Sequence, residues 1–315
     1  MSDPQGPDPA PDATNLVDPS PRRLGDGLVC GPLACGTWRF THADVTAGRA
    51  VLEAALDAGL TLVDTADVYG LDWGGDGFGS VEARLGDVLR GAPGLRDRLV
   101  LATKGGIVPP VPYDSSPRAL RAACEASLRR LGVETIDLYQ VHRPDLFTDP
   151  RHVAETLVDL QAEGKVRLLG VSNHTPSQTA VLLSALDELG ASLATTQPEL
   201  SVAELTPLRD GTLDLAIGAG LVPLAWSPLA GGRVATGDGL APALLAVLDE
   251  LAEREGVDRA AVATAFVLAH PSRPVAIVGS RRPERLAGAA AALSVHLDRA
   301  DAYRIIEASE GVPLP

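Results

Sequence analysis

Long apolar runs and an excess of basic residues are both missing from this chain of 315 residues. Without a run of about eighteen apolar residues, no segment is expected to span a bilayer. Lysine and arginine together number 27 against 41 aspartates and glutamates, which gives a formal net charge of −14. An acidic protein of this kind disfavours nucleic acid and anionic membranes as partners, although a local basic pocket could still hold an anionic cofactor.

Cysteine is also scarce, with only Cys30, Cys35 and Cys124. This odd count without CxxC spacing argues against a disulfide framework or zinc site, and it favours reduced thiols in the cytoplasm. His142 and His174 lack the HExxH spacing, so no metal is expected. The glycine-rich segments fit neither GxGxxG after a strand nor a complete GxSxG, which weakens a Rossmann or hydrolase interpretation.

The first 21 residues are rich in proline and aspartate and poor in large apolar side chains. This composition predicts a disordered tail over residues 1–21. Because the tail has neither a basic start nor an apolar centre, it is not expected to be a secretory signal. Residues 22–315 show no break in composition and are predicted to form a single domain.

Strand-like and helix-like segments alternate through this domain, after a turn signal that predicts a small hairpin over 23–29. The predicted strands cover 33–38, 60–64, 99–103, 136–141, 166–172, 193–197, 221–226 and 275–278. The predicted helices cover 51–58, 81–89, 117–131, 153–162, 177–188, 213–219, 242–270 with a split near Gly256, and parts of 283–309.

About eight β/α units in roughly 290 residues favour a closed (β/α)8 TIM barrel, within the α/β class, over an open sheet. The carboxyl ends of the barrel strands meet at one mouth, where functional residues collect. Segments 73–79, 107–117 and 229–239 are rich in proline or glycine and follow strands. They are expected to be long loops at that mouth.

Three successive predicted strands end close to Asp64, Lys104 and His142, and Tyr69 lies a few positions beyond Asp64. A free phenol has a pKa of about 10. We expect a neighbouring Lys104 ammonium to lower the Tyr69 pKa, while Asp64 keeps the lysine charged. With His142 orienting a carbonyl oxygen, this set suits protonation of an oxygen whose carbon receives hydride.

Each of these residues also has a structural alternative when taken alone. Asp64 and Lys104 could form an ion pair inside the barrel. Tyr69 could be a packing aromatic, and His142 could be a satisfied core histidine. Their convergence at neighbouring strand ends favours the catalytic interpretation.

The motifs that contain these residues resemble those of the aldo-keto reductase superfamily. They are Gly59-x4-Asp64-Thr65-Ala66-x2-Tyr69-Gly70, Thr103-Lys104-Gly105 and Asp137-Leu138-Tyr139-x2-His142. The resemblance covers nearly everything after the tail. It implies a (β/α)8 barrel, an Asp, Tyr, Lys and His tetrad, and NADPH-dependent reduction of an aldehyde or ketone with Tyr69 as general acid.

The resemblance also assigns residues to the nicotinamide end of the cofactor. Ser172, Asn173 and Gln197 match positions that bind the nicotinamide carboxamide. Trp226 matches an aromatic ring stacked on the nicotinamide, with Ser227 and Leu229 beside it in the same motif.

At the other end of the cofactor, a segment after the last strand matches a phosphate site at the start of a helix. Its residues are Gly279, Ser280, Arg281 and Arg285, to which Arg282 could add. Ser280 and Arg285 fall on positions that hold an adenosine 2′-phosphate, which implies NADPH over NADH. Gly288 and Ala289 replace a Glu-Asn pair that faces adenine in many members, so the resemblance leaves adenine recognition open.

Three functional hypotheses result. The first is a cytoplasmic NADPH-dependent reductase acting on a small-molecule carbonyl compound. The second is an NADPH-binding sensor or partner subunit with little turnover, as in the potassium-channel β subunits that resemble this superfamily. The third is a barrel lyase or aldolase that uses Lys104 as a Schiff-base amine. The sequence identifies neither the substrate, the direction of reaction nor the oligomeric state.

Overall fold

A computed structural model describes residues 14–41, 44–72 and 74–314 of the chain. It contains an antiparallel hairpin and eight parallel strands. The hairpin strands are β1 (Arg22–Gly25) and β2 (Leu28–Cys30). The parallel strands are β3 (Leu33–Gly36), β4 (Leu62–Asp64), β5 (Val100–Gly105), β6 (Ile136–Val141), β7 (Val166–Ser172), β8 (Thr195–Gln197), β9 (Val222–Ala225) and β10 (Val275–Gly279). The predicted hairpin and strands are confirmed.

The parallel strands close into a barrel, because β10 pairs with both β3 and β9 and every other strand pairs with its sequence neighbours. The register is continuous around the sheet; for example, Asp64 on β4 lies opposite Ala102 on β5, and Lys104 on β5 lies opposite Gln140 on β6. The predicted TIM-barrel fold is therefore confirmed.

Eleven α-helices lie in the described part of the chain, and none of them is long and apolar enough to cross a membrane. They are α1 (Val45–Asp57), α2 (Ser80–Gly91), α3 (Pro117–Leu131), α4 (Pro150–Ala162), α5 (Pro176–Asp187), α6 (Thr212–Ala219), α7 (Arg233–Thr236), α8 (Pro242–Glu255), α9 (Arg259–Leu268), α10 (Pro283–Ala289) and α11 (Arg299–Glu310). The predicted split near Gly256 is confirmed, since this glycine ends α8 with φ 67°.

Local sequence explains where several helices begin. The Ser116 side chain accepts from the backbone N–H of Ala119, and a proline then occupies the first turn of α3. Thr175 and Gln178 form a capping box that starts α5. These caps satisfy N–H groups that the helix itself leaves unpaired, and they fix where each loop over the mouth must end.

Two apolar cores result from the alternation of side chains along the strands. One lies between sheet and helices, and the other fills the barrel interior with residues such as Leu62, Leu138 and Leu224. Leu24 and Cys30 of the hairpin belong to this interior core. The hairpin thus packs on the amino-terminal end of the barrel, which leaves the opposite mouth for chemistry.

The predicted disordered tail needs a correction at its boundary. Of residues 1–21, the first thirteen lie outside the described residues, but residues 14–21 contact the barrel. The Leu16 N–H donates to the Leu297 carbonyl oxygen at 2.8 Å, and Val17 is 5% exposed. The sequence missed this because one buried valine and backbone bonds anchor the segment despite its polar composition.

Candidate active site

The structure brings Asp64, Lys104, His142 and Tyr69 together at the carboxyl end of the barrel. Asp64 ends β4, Lys104 is the penultimate residue of β5, and His142 directly follows β6. Tyr69 lies in the loop after β4, and its ring meets that of His142 edge-on with centroids 5.9 Å apart. The successive strands of the barrel bring these positions, distant in sequence, into contact.

Lys104 is the centre of this group. Its ammonium donates to Asp64 Oδ2 at 2.8 Å, to the Thr65 carbonyl oxygen at 2.7 Å and to the Tyr69 hydroxyl oxygen at 3.2 Å. An ammonium has three N–H donors, so all of them are used. The Lys104 side chain is only 1% exposed, and these bonds replace the water that it loses.

The charge on Lys104 is secured by its neighbours. Burial alone would lower its pKa, but the Asp64 carboxylate and the Tyr69 phenol hold that pKa above the ordinary lysine value. A Schiff-base nucleophile must be a neutral amine with a free approach. The charged, fully bonded Lys104 gives the aldolase hypothesis no support.

The expected lowering of the Tyr69 pKa is wrong for this structure. Burial raises the pKa of the phenol, Lys104 opposes that rise, and the charge of Asp64 adds to it, with a net increase. Lys104 favours the phenolate, as the sequence predicts, but the desolvation of the buried phenol outweighs this effect. A raised pKa keeps Tyr69 protonated at neutral pH, as a proton donor must be.

His142 is held as a neutral imidazole. Burial lowers its pKa well below the usual histidine value, and the positive charges of Lys104 and Arg143 lower it further. Its Nδ1 atom is buried and has no hydrogen-bond partner in the described part of the chain. A neutral imidazole can donate one hydrogen bond to a substrate oxygen without becoming a competing acid.

The residues that flank Lys104 on β5 fix its position. The Thr103 hydroxyl donates to Glu82 Oε1 at 2.6 Å, and Glu82 pairs with Arg130 at 2.7 Å. Gly105 is required because a Cβ at this position would overlap the Tyr139 hydroxyl. A larger residue would push the end of β5, and Lys104 with it, out of place.

A second hydrogen-bonded group covers the side of the mouth formed by β7, β8 and β9. The Trp226 indole N–H donates to Asn173 Oδ1 at 3.0 Å, and Asn173 Nδ2 donates to Ser172 Oγ at 2.8 Å. Ser172 Oγ in turn donates to the Gln197 backbone oxygen at 3.1 Å and lies 3.4 Å from Gln197 Oε1. The four residues assigned to nicotinamide by resemblance are thus mutually bonded.

The backbone around this group is in an unusual conformation. Asn173 and Ser227 have φ of 57° and 53°, in the left-handed region that non-glycine residues rarely adopt. Leu229, also assigned to the cofactor, precedes a short 3-10 turn at Ala230–Gly232 and then α7, so the predicted loop 229–239 is partly helical. Such positive φ values outside glycine cluster at ligand sites, where surrounding contacts hold them.

The predicted phosphate segment follows β10 on the rim of the barrel. Gly279 ends that strand, and Ser280 Oγ accepts from the Arg282 N–H at 3.1 Å just before α10. The exposed side chains of Arg281 and Arg285 form no hydrogen bond or ion pair with another described residue. Gly288 and Ala289 come at the end of α10 and offer no side-chain hydrogen-bonding group.

Sequence reasoning missed two charged residues near the mouth, Arg143 and Glu199. Both are half-buried, and neither has a hydrogen bond or ion pair within residues 14–41, 44–72 and 74–314. The Arg143 charge nevertheless reaches His142, Tyr69 and Glu199 electrostatically. The position of Arg143 directly after His142 at a strand end was the available signal.

Two further expectations from the sequence concern the loop at 73–79 and metal binding. Trp73, the first residue of the predicted loop 73–79, lies outside the described residues. Among the described residues, no three histidine, cysteine, aspartate or glutamate side chains are grouped so that they could hold a metal ion.

Comparison with known proteins decides the family. The model of the aldo/keto reductase family matches residues 32–310. This chain belongs to the aldo/keto reductase family. Membership makes it an NAD(P)H-dependent oxidoreductase, of a family that acts on small-molecule carbonyl compounds.

Individual aldo/keto reductases resemble the chain over nearly their whole length. A 6-dehydroglucose reductase from Novosphingobium aromaticivorans is 46% identical and aligns with 95% of this chain and 98% of its own. A 6-dehydroglucose reductase from Agrobacterium fabrum is 36% identical, with 88% and 93% covered. The structure of glycerol dehydrogenase AKR11B4 from Gluconobacter oxydans superposes with a TM-score of 0.80 at 29% identity, covering 94% of this chain and 97% of that one.

Acidification should destabilise the wild type more than a His142→Gln variant. Because the pKa of His142 is lowered in the folded state, acidification protonates this histidine in the unfolded chain before it does so in the folded chain. The contribution of this pKa difference to the free energy of unfolding is present in full above about pH 6.5. It is lost as the pH falls towards the folded-state pKa. Between pH 7 and pH 5.5 we expect the wild type to lose about 1 kcal/mol more unfolding free energy than the variant, as measured with urea.

The matched control is His152→Gln, because that side chain lies exposed on α4. This control should follow the wild-type pH dependence. Equal pH slopes for the wild type and His142→Gln would contradict the burial of His142 as a neutral group.

Proposed function

We propose that this chain is an NADPH-dependent carbonyl reductase in which Tyr69 protonates the substrate oxygen. The observation that carries the proposal is the 3.2 Å contact between the buried Lys104 ammonium and the Tyr69 hydroxyl, with Asp64 on the other side of the lysine. A phenol beside a fixed, buried cation can lose its proton to an oxygen on which negative charge builds up.

The proton moves from Tyr69 to the substrate oxygen as that oxygen becomes an alkoxide. The Tyr69 oxygen accepts from Lys104, so its own O–H is left to donate to the substrate. The phenolate that forms is stabilised by the ammonium at its side. Asp64 keeps the ammonium charged and in place, and so acts through Lys104 without contacting the substrate.

His142 supplies the second contact to the same oxygen. Its ring lies edge-on to Tyr69, and its neutral form leaves an N–H as donor. Two donors converging on one oxygen fix the carbonyl relative to the mouth. We therefore assign His142 to orientation of the substrate and not to proton transfer.

The residues on the far side of the mouth fit a nicotinamide. The amide groups of Asn173 and Gln197 and the hydroxyl of Ser172 offer the donors and acceptors that a carboxamide requires, and Trp226 offers an aromatic face. Ser227 and Leu229 complete this wall. When bound, the cofactor supplies the hydride; the protein residues bind it, orient it and exclude water.

Two arginines after β10, which have no ion-pair partner among the described residues, support NADPH as the preferred cofactor. The guanidinium groups of Arg281 and Arg285 are not bonded to any described residue and can bind phosphate, and the exposed Gly279 and the Ser280 hydroxyl lie beside them in the sequence. On an acidic protein this local cation pair favours the form of the cofactor with the additional 2′-phosphate. A calorimetric titration comparing NADPH with NADH tests this assignment.

We further propose an oxidised sugar or related polyhydroxylated aldehyde as the substrate class. Two similar proteins bear the name 6-dehydroglucose reductase. In this chain, the half-buried Arg143 and Glu199 near the mouth form no hydrogen bond or ion pair with a described residue, so a hydroxylated substrate can supply hydrogen-bond partners for both. Hydroxyl groups accept from a guanidinium and donate to a carboxylate, whereas an apolar substrate would leave both charges unpaired.

A reducing compartment agrees with the three buried cysteines. Cys30, Cys35 and Cys124 are free, and burial raises the pKa of each thiol to about 12. Thiols in this state are inert and form no structural bridge. We therefore propose a cytoplasmic enzyme.

Replacing Tyr69 with phenylalanine should remove the proton donor and leave the cofactor site intact. We expect kcat for aldehyde reduction by Tyr69→Phe to fall about 10²-fold to 10⁴-fold. The NADPH dissociation constant should stay within about twofold of the wild-type value, because Tyr69 is not among the residues assigned to the cofactor. Stopped-flow assays and calorimetry measure the two quantities.

Wild-type turnover in Tyr69→Phe would refute the assigned acid. Tight NADPH binding by the wild-type protein, with no turnover across a broad panel of carbonyl compounds, would instead favour the sensor hypothesis. Nothing in the described contacts supports that alternative.

Replacing Arg143 with methionine should weaken selection for hydroxylated substrates. We expect kcat/KM for glyceraldehyde to fall about tenfold or more relative to propanal, because one charged hydrogen bond is lost. The ratio of the two kcat/KM values is insensitive to an effect on Tyr69, because such an effect changes both values equally. Arg49→Met, on the exposed face of α1, is the control, and an unchanged ratio in Arg143→Met would reject the assignment.

A further inference from the structure

One buried hydrogen bond crosses the whole width of the barrel. Gln197 Nε2 donates to Asp64 Oδ1 at 2.9 Å, although Gln197 ends β8 and Asp64 ends β4. In the barrel order these two strands are four positions apart in either direction, so they lie opposite each other. Both side chains are almost fully buried, with 2% and 3% of each residue exposed.

This bond joins the hydrogen-bonded residues around Lys104 to those around Asn173 in one network. On one side, hydrogen bonds run from Trp226 to Asn173 and then to Ser172, whose Oγ donates to the Gln197 backbone oxygen at 3.1 Å and lies 3.4 Å from Gln197 Oε1. Gln197 Nε2 then donates to Asp64 Oδ1, and the other oxygen of Asp64 accepts from Lys104. The donors on the Trp226 side follow one direction as far as Gln197, and hydrogen bonds aligned in one direction polarise and strengthen each other.

We propose that Gln197 is a positioning residue for the proton donor, which ties the nicotinamide-binding side chains to the Asp64–Lys104 pair that acts on Tyr69. This inference rests on the proposed function and deepens it. The carboxamide role assigned by resemblance uses the same side chain, whose Oε1 faces Ser172. The bond through Nε2 adds a second role, because it fixes which oxygen of Asp64 is left for Lys104.

The physical effect of Gln197 on Tyr69 has a definite sign. The amide N–H places the positive end of a dipole against a buried carboxylate, which offsets part of the negative potential there. Without that dipole the potential at Lys104 and Tyr69 becomes more negative, and the pKa of Tyr69 must rise. The hydrogen bond from the Lys104 ammonium to Asp64 Oδ2, at 2.8 Å, does not involve Gln197.

The test is a titration of position 69 in the full chain without cofactor or substrate. A difluorotyrosine, whose phenol is intrinsically more acidic, replaces Tyr69, and its fluorine NMR signal reports ionisation. In Gln197→Met, which keeps the side-chain length but removes the donor, we expect the reporter pKa to rise by about half a unit or more. In an Asp64→Asn background, the same substitution should cause no rise.

Gln140→Met is the matched control. Gln140 is another fully buried glutamine of the barrel, but its Oε1 accepts from Thr195 and its amide does not bond to the tetrad. This control should leave the reporter pKa unchanged. If Gln197→Met shifts the reporter no more than Gln140→Met, or if the shift persists in Asp64→Asn, the proposal is refuted.

A second variant, Gln197→Glu, keeps the proposal testable if Gln197→Met does not fold. In Gln197→Glu, the new carboxyl group can share a proton with Asp64 and replace the lost donor at low pH, and it adds a negative charge once ionised. The reporter pKa should therefore rise further than in Gln197→Met, and an unchanged value would refute the proposal. Because the titration needs neither cofactor nor substrate, a shift in these variants combined with full turnover in Tyr69→Phe would reject the reductase mechanism and leave the bridge standing.

Discussion

The ion pair between Asp64 and Lys104, buried inside the barrel mouth, is the interaction on which the rest of the site depends. Burying two charges is costly, and removing one partner of such a pair typically costs about 3–5 kcal/mol. Here every remaining donor of Lys104 is used, by Thr65 and Tyr69, and the second oxygen of Asp64 is used by Gln197. The pair is tolerated because its surroundings complete its hydrogen bonds.

That requirement explains the organisation of the neighbouring elements. Lys104 stays in register because Thr103 is fixed by Glu82 and because Gly105 makes room for Tyr139. Tyr69 can reach the lysine because Gly70, with φ 106°, turns the loop where a Cβ would strike Ser80 and the Gly77 carbonyl oxygen. The hairpin packs against the other end of the barrel. The strands therefore hold the Asp64–Lys104 ion pair, and the loops carry Tyr69 and surround the mouth.

Sequence patterns predicted the architecture and the residues of the tetrad because each strand, helix and strand end has its own local signal. Alternating strand and helix segments defined eight units, and a charged or polar residue at consecutive strand ends predicted that Asp64, Lys104 and His142 would meet. The pattern could not predict quantities that depend on the closed barrel. The net rise in the Tyr69 pKa depends on burial, and the bond from Gln197 to Asp64 depends on the barrel's diameter.

The contacts of residues 14–21 and the burial of Arg143 also could not be predicted from local sequence patterns. Residues 14–21 look disordered by composition, yet Val17 and a backbone bond from Leu16 anchor them to a surface far along the chain. The position of Arg143 after His142 is a weak signal in the sequence, because an arginine after a strand is usually a solvated side chain. Its significance depends on being half-buried beside His142 without a partner among the described residues.

Transfer of deuterium from NADPH carrying the label at its hydride position tests the central claim most directly. With glyceraldehyde as substrate, the wild type should place deuterium on the former carbonyl carbon, and Lys104→Met should do so at least about a hundredfold more slowly. This loss is expected because Tyr69 would have no cation to stabilise its phenolate. An unlabelled alcohol, or an equal rate of label transfer in Lys104→Met, would contradict the account.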